Sequence, residues 1–345
     1  MTLQEFESDW QSASPRLLVH TSGSTGTPKP LWVEKERMRA SARMTCSFLG
    51  LREGDSALLC LPLDYIAGKM MAVRAWEWGL HLVSVPPSNR PLLTLTTGEP
   101  HLADSPSEGW RGLFIAMVPS QVYTTLTQGT EEERHLLRSA RHLIIGGGAI
   151  SPDLARLVRN FPNAVWSTYG MTETLSHVAL RRLNGPEASD WYTPLPGVTL
   201  TLSPEDNCLV IDCPRVCPEP LKTNDIAELR EDPHGGSVSF RILGRKDNVI
   251  CSGGLKLQIE QMEEELLRHI HAPFCITKRP DPRFGEAAVL LTTTPVNLKE
   301  LLARVSPSSH LRYIKDALTI PHIPLTATGK TDRAKARNYA LNGGL

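Results

Sequence analysis

The chain has 345 residues, of which 41% are hydrophobic and 21% are charged, so it is long enough for about two domains with hydrophobic cores. Lysine plus arginine and aspartate plus glutamate number 37 each, and this balance gives no overall basic charge that would attract nucleic acid. The N-terminus is polar and acidic, no apolar run could span a membrane, and seven cysteines without paired C-x-x-C clusters are typical of reduced thiols. We therefore expect a cytoplasmic protein with no nucleic-acid or membrane partner.

A loop rich in glycine and hydroxyl groups follows the first predicted strand, whose apolar run is 17–19. Its polar and glycine residues are Thr21, Ser22, Gly23, Ser24, Thr25, Gly26, Thr27 and Lys29. Glycines let the backbone approach a ligand, and the hydroxyls, peptide N–H groups and lysine suit a polyphosphate. The spacing is not that of a Walker-type loop, and a merely flexible Ser/Gly loop remains the alternative.

A helix is predicted over 34–49 and a buried strand over 57–61. The strand delivers the sequence L-P-L-D-Y-I-A-G-K to its carboxyl end, where ligands of open α/β sheets collect. The next predicted helix, 69–78, carries Lys69 and Arg74 in an apolar context. A buried guanidinium needs a partner, and a carboxylate is the best one; an arginine that reaches the surface is the alternative.

Three further strands are predicted over 112–118, 143–145 and 164–167. Three glycines follow the second of them: Gly146, Gly147 and Gly148. A strand that opens into glycines lets a flat ring lie on the backbone, although a tight turn between strand and helix would need the same residues.

The strand over 164–167 runs into T-Y-G-M-T-E. Tyr169 offers a ring that can stack on a base, Thr172 a hydroxyl for a phosphate, and Glu173 a carboxylate able to hold Mg²⁺. His177, four residues after Glu173, would share a helix face with it. Because no third metal ligand is evident, we interpret His177 as a wall of an acyl pocket or as a packed histidine.

The C-terminal part begins with a predicted β-rich region, in which Asp225 could accept hydrogen bonds from two neighbouring hydroxyls or act as a turn residue. An amphipathic helix is predicted over 257–270, then a strand over 287–291 and a helix over 298–305. Near the end comes the run P-L-T-A-T-G-K-T-D-R, with Lys330 on a glycine-hinged loop.

Five of these motifs, in this order, resemble those of adenylate-forming acyl-CoA ligases. The resemblance implies an α/β fold with a truncated large adenylation domain of mixed sheets flanked by helices, over 1–246. A small, mobile α+β C-terminal domain would follow over 247–345. Members usually carry a longer segment before the phosphate loop, so we expect a short form without the N-terminal subdomain. Smaller sheets or an oligomer must then compensate, and we predict a homodimer.

The resemblance also implies a role for each matching residue. The 21–29 loop would contact the phosphates of ATP, Lys330, Thr172 and Glu173 would be catalytic, and Glu173 would hold Mg²⁺. Adenine and ribose would contact Gly146, Gly147, Gly148, Tyr169, Gly170, Met171, Asp225 and Arg245. Asp247 would be the hinge, and Gly253 and Gly254 would border the CoA tunnel. The acyl substrate would contact Tyr65, Gly68, Lys69, Arg74 and His177, with Tyr65 standing where the family has a histidine.

The activity implied is ATP-dependent formation of an acyl-adenylate and then a CoA thioester, on a small aromatic carboxylate. Arg74 lies six residues after Gly68, and V-P-S-Q occurs at 118–121, as in the o-succinylbenzoate-CoA ligases of menaquinone synthesis. Two alternatives stay open. One is another acyl- or aryl-CoA ligase or a carrier-loading adenylation enzyme, and the other is a non-catalytic nucleotide-binding protein.

Overall fold

The structure is a computed structural model of the chain. It describes residues 1–20, 30–96, 110–231, 238–326 and 330–344. Two predicted features therefore lie outside the described residues: the phosphate loop, 21–29, and the tip of the lysine loop, 327–329. No helix among the described residues has the length and apolar character that crossing a bilayer requires.

The described N-terminal residues contribute nine strands. In chain order they are β1 (Arg16–His20), β2 (Pro30–Glu34), β3 (Ser56–Leu59), β4 (His81–Ser84), β5 (Phe114–Met117), β6 (His142–Ile145), β7 (Ala164–Gly170), β8 (His177–Arg182) and β9 (Thr193–Pro194). The first two form an antiparallel hairpin, and the others form one sheet in the order β4-β3-β5-β6-β7-β8-β9. Neighbours from β4 to β7 are parallel, whereas β8 and β9 are antiparallel.

Helices cover this sheet on both faces. They are α1 (Leu3–Gln11), α2 (Lys35–Leu49), α3 (Ile66–Trp78), α4 (Leu93–Thr96), α5 (Pro119–Gln128), α6 (Glu131–Ser139) and α7 (Pro152–Val158). Successive residues of a strand point to opposite faces, so Leu58 belongs to one hydrophobic cluster and Leu59 to the other. A parallel sheet that is buried on both faces reads as a continuous apolar run, as β5 does.

Two further sheets follow. An antiparallel sheet consists of β10 (Thr199–Leu202), β11 (Cys208–Asp212), β12 (Leu221–Glu231) and β13 (Val238–Arg245). A mixed sheet consists of β14 (Val249–Ser252), β15 (Leu255–Gln258), β16 (Phe274–Asp281), β17 (Gly285–Thr292) and β18 (Ile314–Thr319). The last sheet packs with α8 (Ile259–Leu266), α9 (Leu298–Arg304) and α10 (Arg333–Leu341).

The predicted α/β fold with mixed sheets flanked by helices is confirmed, but two local expectations are wrong. The helix expected over 257–270 is shorter, because 255–258 pairs with β14 as a strand before α8 begins. His177 starts β8 and is not on a helix with Glu173. The two cluster sets, within 6–240 and within 250–340, share no residue. The domain boundary at 246/247 stays a prediction.

Candidate functional site

The β1–β2 hairpin brings the two ends of the predicted phosphate loop together. His20 and Pro30 are register partners at the loop end of the hairpin, and His20 also forms a parallel bridge with Tyr65. Tyr65 is the N-cap residue of α3. The structure therefore sets the base of the phosphate loop beside the segment predicted to line the acyl pocket.

Gly68 lies in the first turn of α3, against the backbone of Leu61 and Pro62 in the segment that follows β3. A Cβ at Gly68 would lie 2.3 Å from the Pro62 carbonyl oxygen, so any side chain would force the segment apart. Lys69 and Arg74 are both buried on α3. The Lys69 ammonium lies 4.7 Å from the centre of the Phe6 ring, under α1, and the structure does not bring it to Arg74.

Arg74 is the centre of a buried polar network. It is 2% exposed, and its Nη2 donates a hydrogen bond to the Ser176 hydroxyl. Its Nε is buried without a partner, and no carboxylate pairs with it among the described residues. Burial lowers the pKa of Arg74 to about 10, which leaves the guanidinium charged at neutral pH. An anionic group is therefore what this network lacks.

His177 continues the same network. Its Nε2 lies 3.0 Å from Thr45 Oγ1 in a buried hydrogen bond, and its Nδ1 lies 3.4 Å from Ser176 Oγ. Burial, and then the charge of Arg74, lower the pKa of His177 well below its ordinary value. The neutral His177 adds no charge of its own, so the cluster carries the positive charge of Arg74.

A second cluster joins β7, β12 and β13 around Asp225. The Tyr169 hydroxyl donates to Asp225 Oδ2 at 2.7 Å, and Arg245 Nη1 donates to Oδ1 at 3.0 Å. Arg245 Nη2 also donates to Asp247 Oδ2 at 2.9 Å. Burial and Asp225 raise the pKa of Tyr169, so its hydroxyl remains a donor. Asp225 lies inside β12 and is not a turn residue; its carboxylate retains lone pairs that hydroxyl groups of a ligand could use.

The glycine run follows β6 and borders the start of α5. The Gly146 N–H donates to the Met117 carbonyl at 3.0 Å, and a Cβ at Gly148 would lie 3.3 Å from Pro119 Cγ. The motif Y-G-M-T-E ends β7 and enters a 3₁₀ turn, Thr172–Thr174. A Cβ at Gly170 would lie 2.2 Å from the Ser176 carbonyl oxygen, so only glycine lets β7 and β8 approach here. Met171 packs against the core at the edge of this motif.

Glu173 is exposed, and no hydrogen bond or ion pair engages its carboxylate in the described part of the chain. That part also holds no group of three residues able to cage a metal ion. Mg²⁺ commonly binds through one or two carboxylates plus substrate phosphates, and a single free carboxylate fits that mode. Thr172, next to it, is buried.

Lys330, in the C-terminal part, interacts electrostatically with the Asp225 cluster. Burial and then the charge of Arg245 lower the pKa of Lys330, whereas the charge of Asp225 raises it. Gly253 and Gly254, by contrast, form the turn between β14 and β15, where the Gly253 N–H donates to the Phe284 carbonyl at 2.8 Å. Among the described contacts nothing links this turn to Lys330, and its role in CoA binding stays a prediction.

Sequence reasoning missed several residues of the site: Thr45, Ser176, Tyr192 and Phe240. Tyr192 and Phe240 flank the Tyr169 ring, with ring centres 5.9 and 5.1 Å from it. Ser176 had one available signal, because it lies between the Y-G-M-T-E motif and His177.

Residues 3–216 match the family model described as AMP-binding enzyme. The match covers more than half of the chain, and the protein belongs to the AMP-binding enzyme family. The expected resemblance is thereby confirmed at the family level.

A solved structure described as an acyl-CoA synthetase (AMP-forming)/AMP-acid ligase II-like protein, from Dyadobacter fermentans, is similar to this chain. It is 32% identical with a TM-score of 0.61, over 98% of this chain and 93% of that one. The 2-succinylbenzoate–CoA ligase of Bacillus cereus is 25% identical over 93% of this chain and 69% of its own length. The o-succinylbenzoate coenzyme A synthetase of Bacillus subtilis, solved with ATP and magnesium ion, shares the fold with a TM-score of 0.68 at 20% identity.

Proposed function

We propose that the protein is an ATP-dependent acid–CoA ligase that converts 2-succinylbenzoate into its CoA thioester through an acyl-adenylate. Membership of the AMP-binding enzyme family supports the adenylating chemistry. Similar proteins from Bacillus cereus and Haemophilus influenzae bear the name 2-succinylbenzoate–CoA ligase. The observation that carries the choice of acid is the buried guanidinium of Arg74, which pairs with no carboxylate among the described residues.

The substrate has two carboxylates with different tasks. One is activated, and the other pairs with Arg74, which cannot be left charged and unpaired in a buried site without a large free-energy cost. An acid with the same ring but only one carboxylate would leave Arg74 unpaired, so the free-energy cost of its buried charge would remain. The neutral His177 and Ser176 contribute uncharged hydrogen-bonding groups beside the arginine.

The first half-reaction joins two anions, a carboxylate and the α-phosphate of ATP, so it needs positive charge and donors where negative charge develops. In this proposal Asp225 accepts from the ribose hydroxyls, Tyr169 lies against adenine, and Lys330 points its ammonium at the reacting oxygens. Glu173 would hold Mg²⁺, which neutralises phosphate charge when bound. The 21–29 loop, which connects β1 and β2 in the sequence, would contact the departing phosphates.

In the second half-reaction the CoA thiolate attacks the acyl carbonyl of the acyl-adenylate; the carbon–sulfur bond forms, the acyl–phosphate bond breaks, and AMP leaves. We place a rotation about Asp247 between the two steps, which withdraws Lys330 and brings Gly253 and Gly254 to the acyl carbonyl. Such a conformational step lets one site perform two reactions in sequence. The homodimer expected from the sequence stays a prediction.

The first test is ATP-dependent CoA thioester formation with 2-succinylbenzoate and with benzoate. We expect a strong preference for 2-succinylbenzoate, and we expect Arg74→Met to lower kcat/KM for this acid by about 100-fold, as for loss of one partner of a buried charge pair. Activity with benzoate should change little. Arg43→Met, which removes an exposed arginine from α2, should change either activity less than about twofold.

Equal loss on both acids would remove Arg74 from its assigned role while leaving the ligase chemistry intact. Pyrophosphate release that does not depend on the presence of CoA, with no thioester formed, would instead favour a carrier-loading adenylation enzyme. Absence of pyrophosphate release with every acid in a panel of carboxylates would favour a non-catalytic nucleotide-binding protein.

A further inference from the structure

The loop that carries Lys330 has a closed base. The Asp332 N–H donates to the Pro324 carbonyl at 2.8 Å, and the Thr326 N–H donates to the Lys330 carbonyl at 2.7 Å. Leu325 and Thr331 form an antiparallel bridge between these two bonds. The returning arm of the loop then passes directly into α10, so Lys330 is held by a short ladder that ends at the start of that helix.

The first residue of α10, Arg333, is fastened to two other elements. Its Nη1 and Nη2 donate to the two carboxylate oxygens of Glu263, on α8, at 2.6 and 2.7 Å. Nη1 also donates to the Ile276 carbonyl on β16 at 3.0 Å. The Glu263 carboxylate in turn accepts the Ile276 N–H at 2.8 Å. A bidentate arginine–carboxylate pair fixes the orientation of the two side chains as well as the distance between them.

The Arg333–Glu263 pair is partly buried. The side chains of Arg333 and Glu263 are 27% and 21% exposed, whereas the other charged pair at this helix start, Lys335 with Asp332, is a 3.6 Å contact with the lysine 68% exposed. Farther along α10, Ala336 and Ala340 are buried against Cys275 and Val289. The apolar contacts hold the body of the helix, and among the described hydrogen bonds and ion pairs it is Arg333 that joins the first turn of α10 to α8.

Arg333 lies three residues after Lys330 in the sequence. A displacement of the first turn of α10 would therefore also displace the lysine. Tilting or translating the base by about 1 Å can cost about 100-fold in rate when a catalytic group must meet a reacting atom. We therefore expect a residue that fixes the base of the loop to act chiefly on the step in which Lys330 takes part.

We propose that Arg333 is a positioning residue for Lys330, acting through its bidentate pair with Glu263 and its hydrogen bond to the Ile276 carbonyl. The inference rests on the proposed function, in which Lys330 serves adenylation and is withdrawn before thioester formation. Arg333 itself contacts no substrate. Its removal should slow the first half-reaction selectively.

The test measures the two half-reactions separately on the full chain. Adenylation is followed as single-turnover pyrophosphate release from ATP and 2-succinylbenzoate, and thioester formation is followed from synthetic acyl-adenylate and CoA. Arg333→Met should slow adenylation by about 10- to 100-fold and change thioester formation less than about threefold. Arg333→Lys, which keeps the charge and one bond but loses the fork, should fold well and slow adenylation by about tenfold.

The matched control is Arg279→Met, which removes a partly exposed arginine of β16 that pairs with Asp316 of β18 at 3.1 Å. It should leave both half-reactions within about twofold. Equal slowing of both half-reactions by Arg333→Lys, or unchanged adenylation in both Arg333 variants, would overturn the inference while the proposed function stands. An unmutated chain that forms no acyl-adenylate would overturn the proposed function, and the inference with it.

Discussion

At the scale of single residues, Lys330 carries its charge in an environment that opposes it. Burial, and then the charge of Arg245, lower the pKa of Lys330 below its ordinary value of 10.5. The charged form is the one that stabilises the anionic transition state, so adenylation should slow as the pH rises through this lowered pKa. Single-turnover pyrophosphate release measured from about pH 7 to 11 should therefore show an alkaline decline centred below 10.5.

A variant separates this decline from general loss of structure. Arg245→Gln removes the neighbouring positive charge, so the pKa of Lys330 should rise and the decline should move to higher pH at saturating ATP. Thioester formation from acyl-adenylate should lack the decline. A decline that stays in place in Arg245→Gln, or that both half-reactions share, would contradict the assignment.

The residue types of the candidate site could be predicted from the sequence, but their hydrogen-bond partners could not. Tyr169, Asp225 and Lys330 each stand in a short motif, yet the Tyr169 hydroxyl bonds to a carboxylate 56 residues farther along the chain. Such a pair depends on how β7 and β12 meet, and no local pattern encodes that. Arg74 was recognised as an arginine in an apolar helix, but its contact with Ser176 is a tertiary one of the same kind.

At the scale of elements, a buried hydroxyl adds side-chain hydrogen bonds to the backbone bonds of the connection between β7 and β8. Thr174 is fully buried; its Oγ1 accepts the Met171 N–H at 2.9 Å and lies 2.7 Å from the Ser176 carbonyl oxygen, to which it donates. Thr174→Val keeps the shape and removes these bonds. We expect the free energy of unfolding to fall by about 1–3 kcal/mol, measured by chemical denaturation, because buried backbone groups lose their partner.

The same variant should weaken ATP binding, since the bonds of Thr174 fix the backbone on both sides of Glu173. Titration calorimetry with ATP measures this effect. Thr127→Val is the matched control, because the Thr127 hydroxyl donates to its own helix at an exposed position, and we expect less than about 0.5 kcal/mol there. If Thr174→Val and Thr127→Val changed stability and ATP binding equally, the hydrogen bonds of Thr174 would contribute no more than those of an exposed hydroxyl.

This connection also explains why the helical reading of His177 was wrong. Leu175, a non-glycine residue, has a φ of 64°, a conformation that ends any helical turn and sends the chain back along β7. The periodic spacing of Glu173 and His177 was real but short, and pairing with β7 outweighed it. Four-residue patterns carry too little information against a strand partner, whereas the long apolar runs of the central strands were predicted correctly.

At the scale of the whole molecule, the site draws on three sheets. The parallel sheet carries the glycine run and Tyr169, the antiparallel sheet carries Asp225 and Arg245, and Lys330 comes from the part built on the last sheet. The order of motifs along the sequence predicts that these three parts contribute to one site, which stays a prediction. It could not predict how they are oriented, because relative orientation depends on contacts such as that of Gln258 Nε2 with the Arg245 carbonyl, at 2.9 Å.

A truncation tests how the parts divide the work. A chain that ends at Lys246 keeps all residues of the two N-terminal hydrophobic clusters and the Tyr169–Asp225–Arg245 contacts, but it lacks Lys330. We expect it to unfold cooperatively and to bind ATP within about tenfold of the full chain, because ribose and adenine would contact only retained residues.

Its pyrophosphate release should fall as far as that of full-length Lys330→Ala, by about 100- to 1,000-fold, which is the usual effect of removing one group that stabilises developing charge. Equal losses would mean that the lysine is all that the C-terminal part supplies to adenylation. A larger loss in the truncated chain would assign further adenylation contacts to that part. A truncated chain as active as the full one would mean that the nucleotide is activated without Lys330, against the proposed mechanism.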